Sequence, residues 1–294
     1  MQFFNVVPRL VTFYVTTKGY ETVSHFPKHI KWFVDTKKRL TTVDGKEVEV
    51  WEFRHEKDNT ILSDWAKHFR NHYCRDSQID DLCRGSGYSR ADYLHNIKFP
   101  DPQIAPGPSV RSGDFSEILV ADFLEYLLGY WVPRTRYDRK NTRNESTKGN
   151  DIIGFRIVED GKISLQDQLT IYEVKARFSG NGSRTVLQDA VDGSVKDPSR
   201  KGESLNAMKS RLHDRGETND AEKIARFQNE ADYPYTEVYG AAALLENSSF
   251  CSNIASSTNT SSHAYSDNLT LIVIKGNEMM QLIHDLYERA ANEA

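Results

Sequence analysis

The chain has 294 residues, with 38 Lys and Arg against 42 Asp and Glu for a net charge of −4, and is 38% hydrophobic and 27% charged. This is ordinary globular composition, enough for one large domain or two small ones, and it excludes collagenous, coiled-coil and wholly disordered chains. No apolar run approaches the roughly 18–20 residues that span a bilayer. The first ten residues lack the basic-then-apolar pattern of a secretory leader, and three cysteines are too few for a disulfide framework. A cytoplasmic protein with no membrane partner is therefore expected. The mildly acidic balance argues against nucleic-acid binding by global charge and leaves room for a local basic strip.

In chain order, Leu10–Thr16 is β-branched and aromatic and predicts a strand, and Glu47–Phe53 alternates apolar with charged residues as a half-buried strand does. Ile61, Leu62, Trp65, Ala66, Phe69 and Tyr73 recur at helical spacing. Ser89 is placed to cap a short helix running to Asn96. Four of the nine prolines fall within residues 99–113, which predicts a linker or long surface connection and divides the chain into an N-terminal α/β extension, residues 1–105, and a second domain, residues 106–294.

Asp114–Leu128 then predicts a helix stopped by Gly129, and Tyr130–Arg136 an extended segment. Asp151–Val158 and Leu169–Phe178 predict a hairpin. Helices are expected around Leu205, Met208 and Leu212 and over Asp220–Asn229. Val238–Leu245 and Leu269–Ile274 read as buried strands, separated by a Ser/Thr/Asn-rich stretch, residues 247–262, that predicts a mobile excursion. Glu278–Ala290 predicts a closing amphipathic helix.

The chemistry concentrates at Glu117, Asp151, Glu173 and Lys175. Residues 173 and 175 of one strand share a face, where a carboxylate and an ammonium are costly unless paired or used. A hairpin sets Asp151 beside Glu173, and Glu117 from the preceding helix can add a third carboxylate. Carboxylates with waters and carbonyls suit Mg²⁺ or Mn²⁺, and a neighbouring Lys can orient or help deprotonate a water. Ahead of Asp151 lie Arg134, Arg136, Arg139, Lys140, Arg143 and Lys148 against Asp138 and Glu145, six cations to two acids and so +4 within a net-negative chain. Such a strip suits phosphate backbone contacts that position DNA without reading its sequence. Gln188, Lys196 and Lys201 are further candidates to reach substrate.

This order resembles the PD-(D/E)xK nuclease superfamily, with Gly149-Asn150 where the motif has its proline. The wider run Gly113-Asp114-Phe115-Ser116-Glu117, then Lys148-Gly149-Asn150-Asp151-Ile152-Ile153-Gly154-Phe155, then Tyr172-Glu173-Val174-Lys175-Ala176-Arg177 resembles the HamA family, the nuclease subunits of Hachiman anti-phage defence systems, over roughly residues 105–290. The resemblance implies an α/β fold with a restriction-endonuclease-like core, a mixed sheet flanked by helices. It implies a Mg²⁺-dependent, sequence-nonspecific DNA endonuclease. Glu117, Asp151 and Glu173 would ligate the metal, with Lys175 the catalytic lysine. The partner implied is a HamB-like superfamily-2 helicase, forming a heterodimer that restrains the nuclease until infection. A catalytically silent module of the same fold that holds nucleic acid or helicase, and a nuclease directed at RNA, are the alternatives.

Other motifs give less. His68-x₃-His72-x-Cys74 shares a helix face, but no Cys pair or fourth ligand follows at useful spacing, so these read as surface histidines. No P-loop and no GxSxG elbow occurs, so ATP hydrolysis by this chain and serine-hydrolase chemistry are not expected.

Overall fold

A computed structural model describes residues 26–159, 161–179 and 185–294. The strand expected over Leu10–Thr16 lies outside the described residues. Six strands form one mixed sheet: β1 (Phe33–Thr41), β2 (Glu47–Phe53), β3 (Ile152–Arg156), β4 (Gln168–Arg177), β5 (Thr236–Glu246) and β6 (Leu269–Gly276), in spatial order β1-β2-β6-β5-β4-β3. The four central strands run parallel, while β1 and β3 pair antiparallel at the two edges. Parallel strands need covered crossovers, and the helices supply them. These are α1 (Asn59–Arg70), α2 (Ile79–Cys83), α3 (Arg90–Tyr93), α4 (Gly107–Asp122), α5 (Val186–Ser194), α6 (Asp197–Asp214), α7 (Thr218–Gln228), α8 (Ser252–Ser256) and α9 (Met279–Asn292). This is the α/β architecture expected, consistent with a PD-(D/E)xK-like core.

Alternation along the strands divides the interior in two. On one face Phe53, Tyr172, Val174, Ala242, Leu244, Ile272 and Ile274 pack with Trp65 and Phe69 of α1, Phe115 and Leu119 of α4, and Ile283 and Leu286 of α9. On the other, Val48, Val50, Ile153, Phe155, Ile171, Ala241, Ala243 and Val273 pack with Val191, Leu205, Ile224 and Phe227 of α5–α7. The apolar stripe predicted for α1 is the one buried. Asp58 caps that helix by accepting from the Thr60 and Ile61 amides, an arrangement that contributes about 1 kcal/mol. In β5, Gly240 lies opposite Tyr172, and a Cβ there would stand 2.3 Å from the Tyr172 ring. The absence of a side chain lets that ring lie flat across the sheet. The N-terminal segment is built into the same sheet, because β2 pairs with β6.

Several elements differ from expectation for local reasons. The proline-rich stretch becomes helical early. α4 starts at Gly107, since Pro108 sits in the first turn, where an amide hydrogen is not needed. Asp101 fastens what precedes it by accepting from the Gln103 and Ile104 amides. A π turn, Phe123–Leu127, extends α4 to Gly129, whose φ of +73° ends it. Tyr130–Arg136 makes a single bridge, with Trp131 and Phe155 exchanging both backbone hydrogen bonds, rather than a strand. Residues 247–262 are fastened instead of mobile. Thr258 and Thr260 are buried, and Asp44 accepts from both the Thr260 amide and hydroxyl. Helix α5 was not expected; its length and its Gly193 weaken the helical pattern. Among the described residues no helix is long and apolar enough to cross a membrane.

Candidate active site

The β3–β4 hairpin builds the centre of the site. Its register pairs Ile152 with Tyr172, so Asp151, one residue earlier, comes opposite Glu173. Asp151 Oδ2 accepts a hydrogen bond from the Val174 amide at 3.0 Å, which anchors the carboxylate to the neighbouring strand. Glu173 and Lys175 leave β4 on the face covered by α5, and the Lys175 ammonium donates to Glu173 Oε1. Glu173 is buried while the Lys175 side chain is 42% exposed, so the ammonium is the end that meets solvent. Helix α5 crosses closely here. A Cβ on Gly193 would lie 2.5 Å from Glu173 Oε1, so the missing side chain at 193 is the space that the carboxylate occupies.

Glu117 enters from α4. Its Oε2 is 2.7 Å from Arg136 Nε and accepts from the Tyr137 hydroxyl at 2.5 Å. Arg136 also reaches Asp151 Oδ1 at 3.0 Å and donates to the Thr147 and Asn150 carbonyls. One guanidinium thus serves two carboxylates. The three expected ligands do not close on one point in this arrangement. Among the described residues, the trio of His, Cys, Asp or Glu whose ligand atoms lie within 4.8 Å of one another is His68, His72 and Asp122.

Asp197, absent from the sequence-level candidates, joins the cluster. It is fully buried at the start of α6, accepts from the Asn150 amide nitrogen Nδ2 at 2.8 Å, and has its Oδ2 without a hydrogen-bond partner. Burial, opposed by Asn150 and reinforced by the charges of Glu173 and Asp151, pushes it up to about 7. Burial, opposed by Arg136 and reinforced by Asp151 and Asp114, pushes Glu117 up to about 8. Glu173 is raised too, by burial and by Asp151. Burial works against the Lys175 ammonium, yet Glu173 outweighs it and holds the Lys pKa above its ordinary value. Mutually raised carboxylates are what an oxygen-only donor set looks like when it is short of positive charge. Hard oxygen donors of this kind fit Mg²⁺ or Mn²⁺, and Mg²⁺ commonly takes one or two carboxylates and completes its shell with water and phosphate. Asp151 and Glu173 are the pair placed to do this, with Asp197 and Glu117 flanking them.

The basic strip is distributed differently from a solvent-facing ribbon. Arg134 pairs with Asp122 at 2.7 Å and Glu125 at 2.5 Å. Arg136 serves Glu117 and Asp151, Lys140 is buried against Asp114, and Arg143 reaches Asp101 at 2.5 Å. Arg139 pairs with Asp214 at 3.2 Å but is half-exposed, and Lys148 is exposed. Lys148 lines one cleft with Glu117, Arg136, Asp151 and Arg211. Of the further candidates, Gln188 bonds Asp192 and the Asn259 carbonyl, Lys196 is exposed, and Lys201 is paired with Glu237. Arg200, unremarked in the sequence, is close enough to favour the charged forms of Glu173 and Asp197.

Compared with known families, residues 28–290 match the family model described as HamA. No curated protein matches the chain.

Proposed function

The chain belongs to the HamA family, which supports a role in Hachiman defence, and on that premise we propose that it is the DNA-cleaving effector of such a system. It hydrolyses phosphodiester bonds without sequence specificity, using Mg²⁺ or Mn²⁺, under the control of a superfamily-2 helicase with which it forms a heterodimer. The observation that supports this reading is the hairpin geometry, with Asp151 anchored on the Val174 amide opposite a Glu173–Lys175 pair. Asp151 and Glu173 hold the metal, and Glu117 completes the acidic cluster. When bound, the metal supplies a Lewis acid for the phosphate oxygen and a more acidic water. Lys175, anchored on Glu173 but half-exposed, orients the attacking water and offsets charge developing on the phosphate. Arg136 holds Glu117 and Asp151 in place through the Thr147 and Asn150 carbonyls. Lys148 and Arg139 are the members of the strip exposed enough to meet a phosphate backbone, while Arg134 and Arg136 line the cleft and Lys140 and Arg143 are tied to Asp114 and Asp101. The N-terminal extension is the proposed helicase-docking region.

The test is cleavage of plasmid DNA and of RNA in Mg²⁺, with and without the helicase, by the wild type, Asp151→Asn and Lys175→Ala. Each variant should lose about 10²–10³-fold in rate. Equal cleavage by the variants would dismiss the site. Cleavage confined to RNA would redirect the substrate assignment. Inactivity of the wild type on damaged DNA with helicase present would favour a silent binding module.

A further inference from the structure

Away from the acid hairpin, α1 and the end of α4 meet in a second cluster of donor atoms. His68 lies in the last turn of α1 and His72 in the turn that follows the helix, with their rings 4.8 Å apart. His68 Nε2 lies 2.9 Å from Asp122 Oδ1 and 3.4 Å from His72 Nε2. The three ligand atoms fall within 4.8 Å of one another, with Asp122 fully buried, His72 nearly so and His68 partly exposed.

With its Nε2–H donated to the Asp122 carboxylate, His68 has no lone pair on that nitrogen to accept from His72, so the 3.4 Å contact is not an ordinary hydrogen bond. The separation has another meaning. Zinc bonds of about 2.0–2.1 Å in a tetrahedron put neighbouring ligand atoms about 3.3–3.4 Å apart. The His–His distance already equals that edge, and the His68–Asp122 distance needs to open by only a few tenths of an ångström.

The carboxylate is also supported as ligating carboxylates are. Its other oxygen, Oδ2, is 3.0 Å from His29 Nε2, and His29 is stacked on Trp65. Arg134 donates to Oδ1 at 2.7 Å, and its charge is shared with Glu125, so it does not cancel Asp122 alone.

We propose that His68, His72 and Asp122 form a binding site for a borderline transition-metal ion, Zn²⁺ foremost, with water in the fourth position. Nitrogen donors select such an ion over Mg²⁺, which prefers the all-oxygen set of the hairpin. The ion pins α1, from the N-terminal extension, to the end of α4. It also stiffens the cleft wall, since His72 lines the cleft that holds Glu117 and Asp151. The site stands whether or not the hairpin cleaves DNA.

The experiment uses the full chain, stripped by chelator, incubated with Zn²⁺ and desalted. Elemental analysis should find one zinc per chain in the wild type and in Asp151→Asn. His68→Gln and His72→Gln, which keep size and hydrogen bonding, should each weaken zinc binding by more than about tenfold. Co²⁺ added to the stripped wild type should give the intense visible bands of a four-coordinate site, a readout that does not depend on how the variants fold. No retained zinc overturns the proposal, as does zinc retained equally by both Gln variants, zinc lost in Asp151→Asn, or the pale spectrum of six-coordinate Co²⁺.

Discussion

Glu117 and Asp122 sit little more than a turn apart on α4, yet their surroundings treat a buried carboxylate in opposite ways. Around Asp122, burial alone would raise the pKa, but His68, Arg134 and His29 hold it well below its ordinary value. Around Glu117, burial wins despite Arg136, because that guanidinium is shared with Asp151 and other acids lie close by. The first carboxylate is supplied with partners of both kinds, imidazole and guanidinium. The second belongs to an all-oxygen set short of positive charge. Folding gives the Asp122 cluster its counter-charge, so an ion enters there by replacing an imidazole proton, whereas the acid cluster is left short of charge and takes a hard cation from solution. The two donor sets also differ in hardness, so one helix offers places for two kinds of metal.

The widest separation between the clusters should appear in stability. Asp122→Ala strips a buried pivot from Arg134, His29 and His68 and should cost about 3 kcal/mol, read from the urea midpoint. Glu117→Ala removes a carboxylate whose charge is incompletely met and should cost clearly less. Equal losses would erase the distinction. Next in size is a change that separates activity from stability at the acid cluster. Gly193→Ala drives a Cβ into the space of Glu173 Oε1. Helix propensity gains up to about 1 kcal/mol from the same change, so the melting temperature should barely move. The displaced carboxylate should cost about ten- to a hundredfold in cleavage rate. A fully active Gly193→Ala would show that the position of Glu173 is immaterial.

Much of this architecture is legible in the sequence. The Asp151-to-Lys175 hairpin, the apolar strands β5 and β6, and the buried stripes of α1 and α9 all follow from local periodicity, which packing leaves intact. What was not legible depends on partners distant in the chain. Arg134, Arg136, Lys140 and Arg143 read as a phosphate-binding strip because the acids that claim them, Asp122, Glu117, Asp114 and Asp101, lie upstream at no fixed spacing. Asp197 belongs to no motif in the sequence, and only the chain's return from β4 brings it near Glu173. His68 and His72 read as surface residues because their third donor, Asp122, belongs to a different helix. Pairwise chemistry across the sheet leaves no periodic trace in sequence.

The last effect is the smallest at neutral pH and the most diagnostic, since the two clusters should tilt the pH dependence of stability in opposite directions. Glu117 starts from 4.5 and is pushed up to about 8 in the folded chain, and Asp197 starts from 3.8 and is pushed up to about 7. Across those windows the folded state binds protons that the unfolded state has released. Their favourable contribution is therefore complete below the unfolded pKa and is lost as pH rises through the folded one. Asp122 is depressed, so its contribution is present above 3.8 and is lost only as pH falls towards its lower folded value. In chelator, buried His29, His72 and His263 tilt stability upward to about pH 6.5, so the acid cluster is read from the variant: relative to the wild type, Glu117→Gln should flatten the decline of the urea midpoint towards pH 8. Asp122→Asn should instead remove part of the loss below about pH 4. Mg²⁺ meets the missing charge directly and should restore more stability at pH 8 than at pH 6, because only the ionised acids hold it well. A Glu117→Gln profile identical to the wild type would mean that Arg136 fully satisfies the acid cluster and that nothing there awaits a cation.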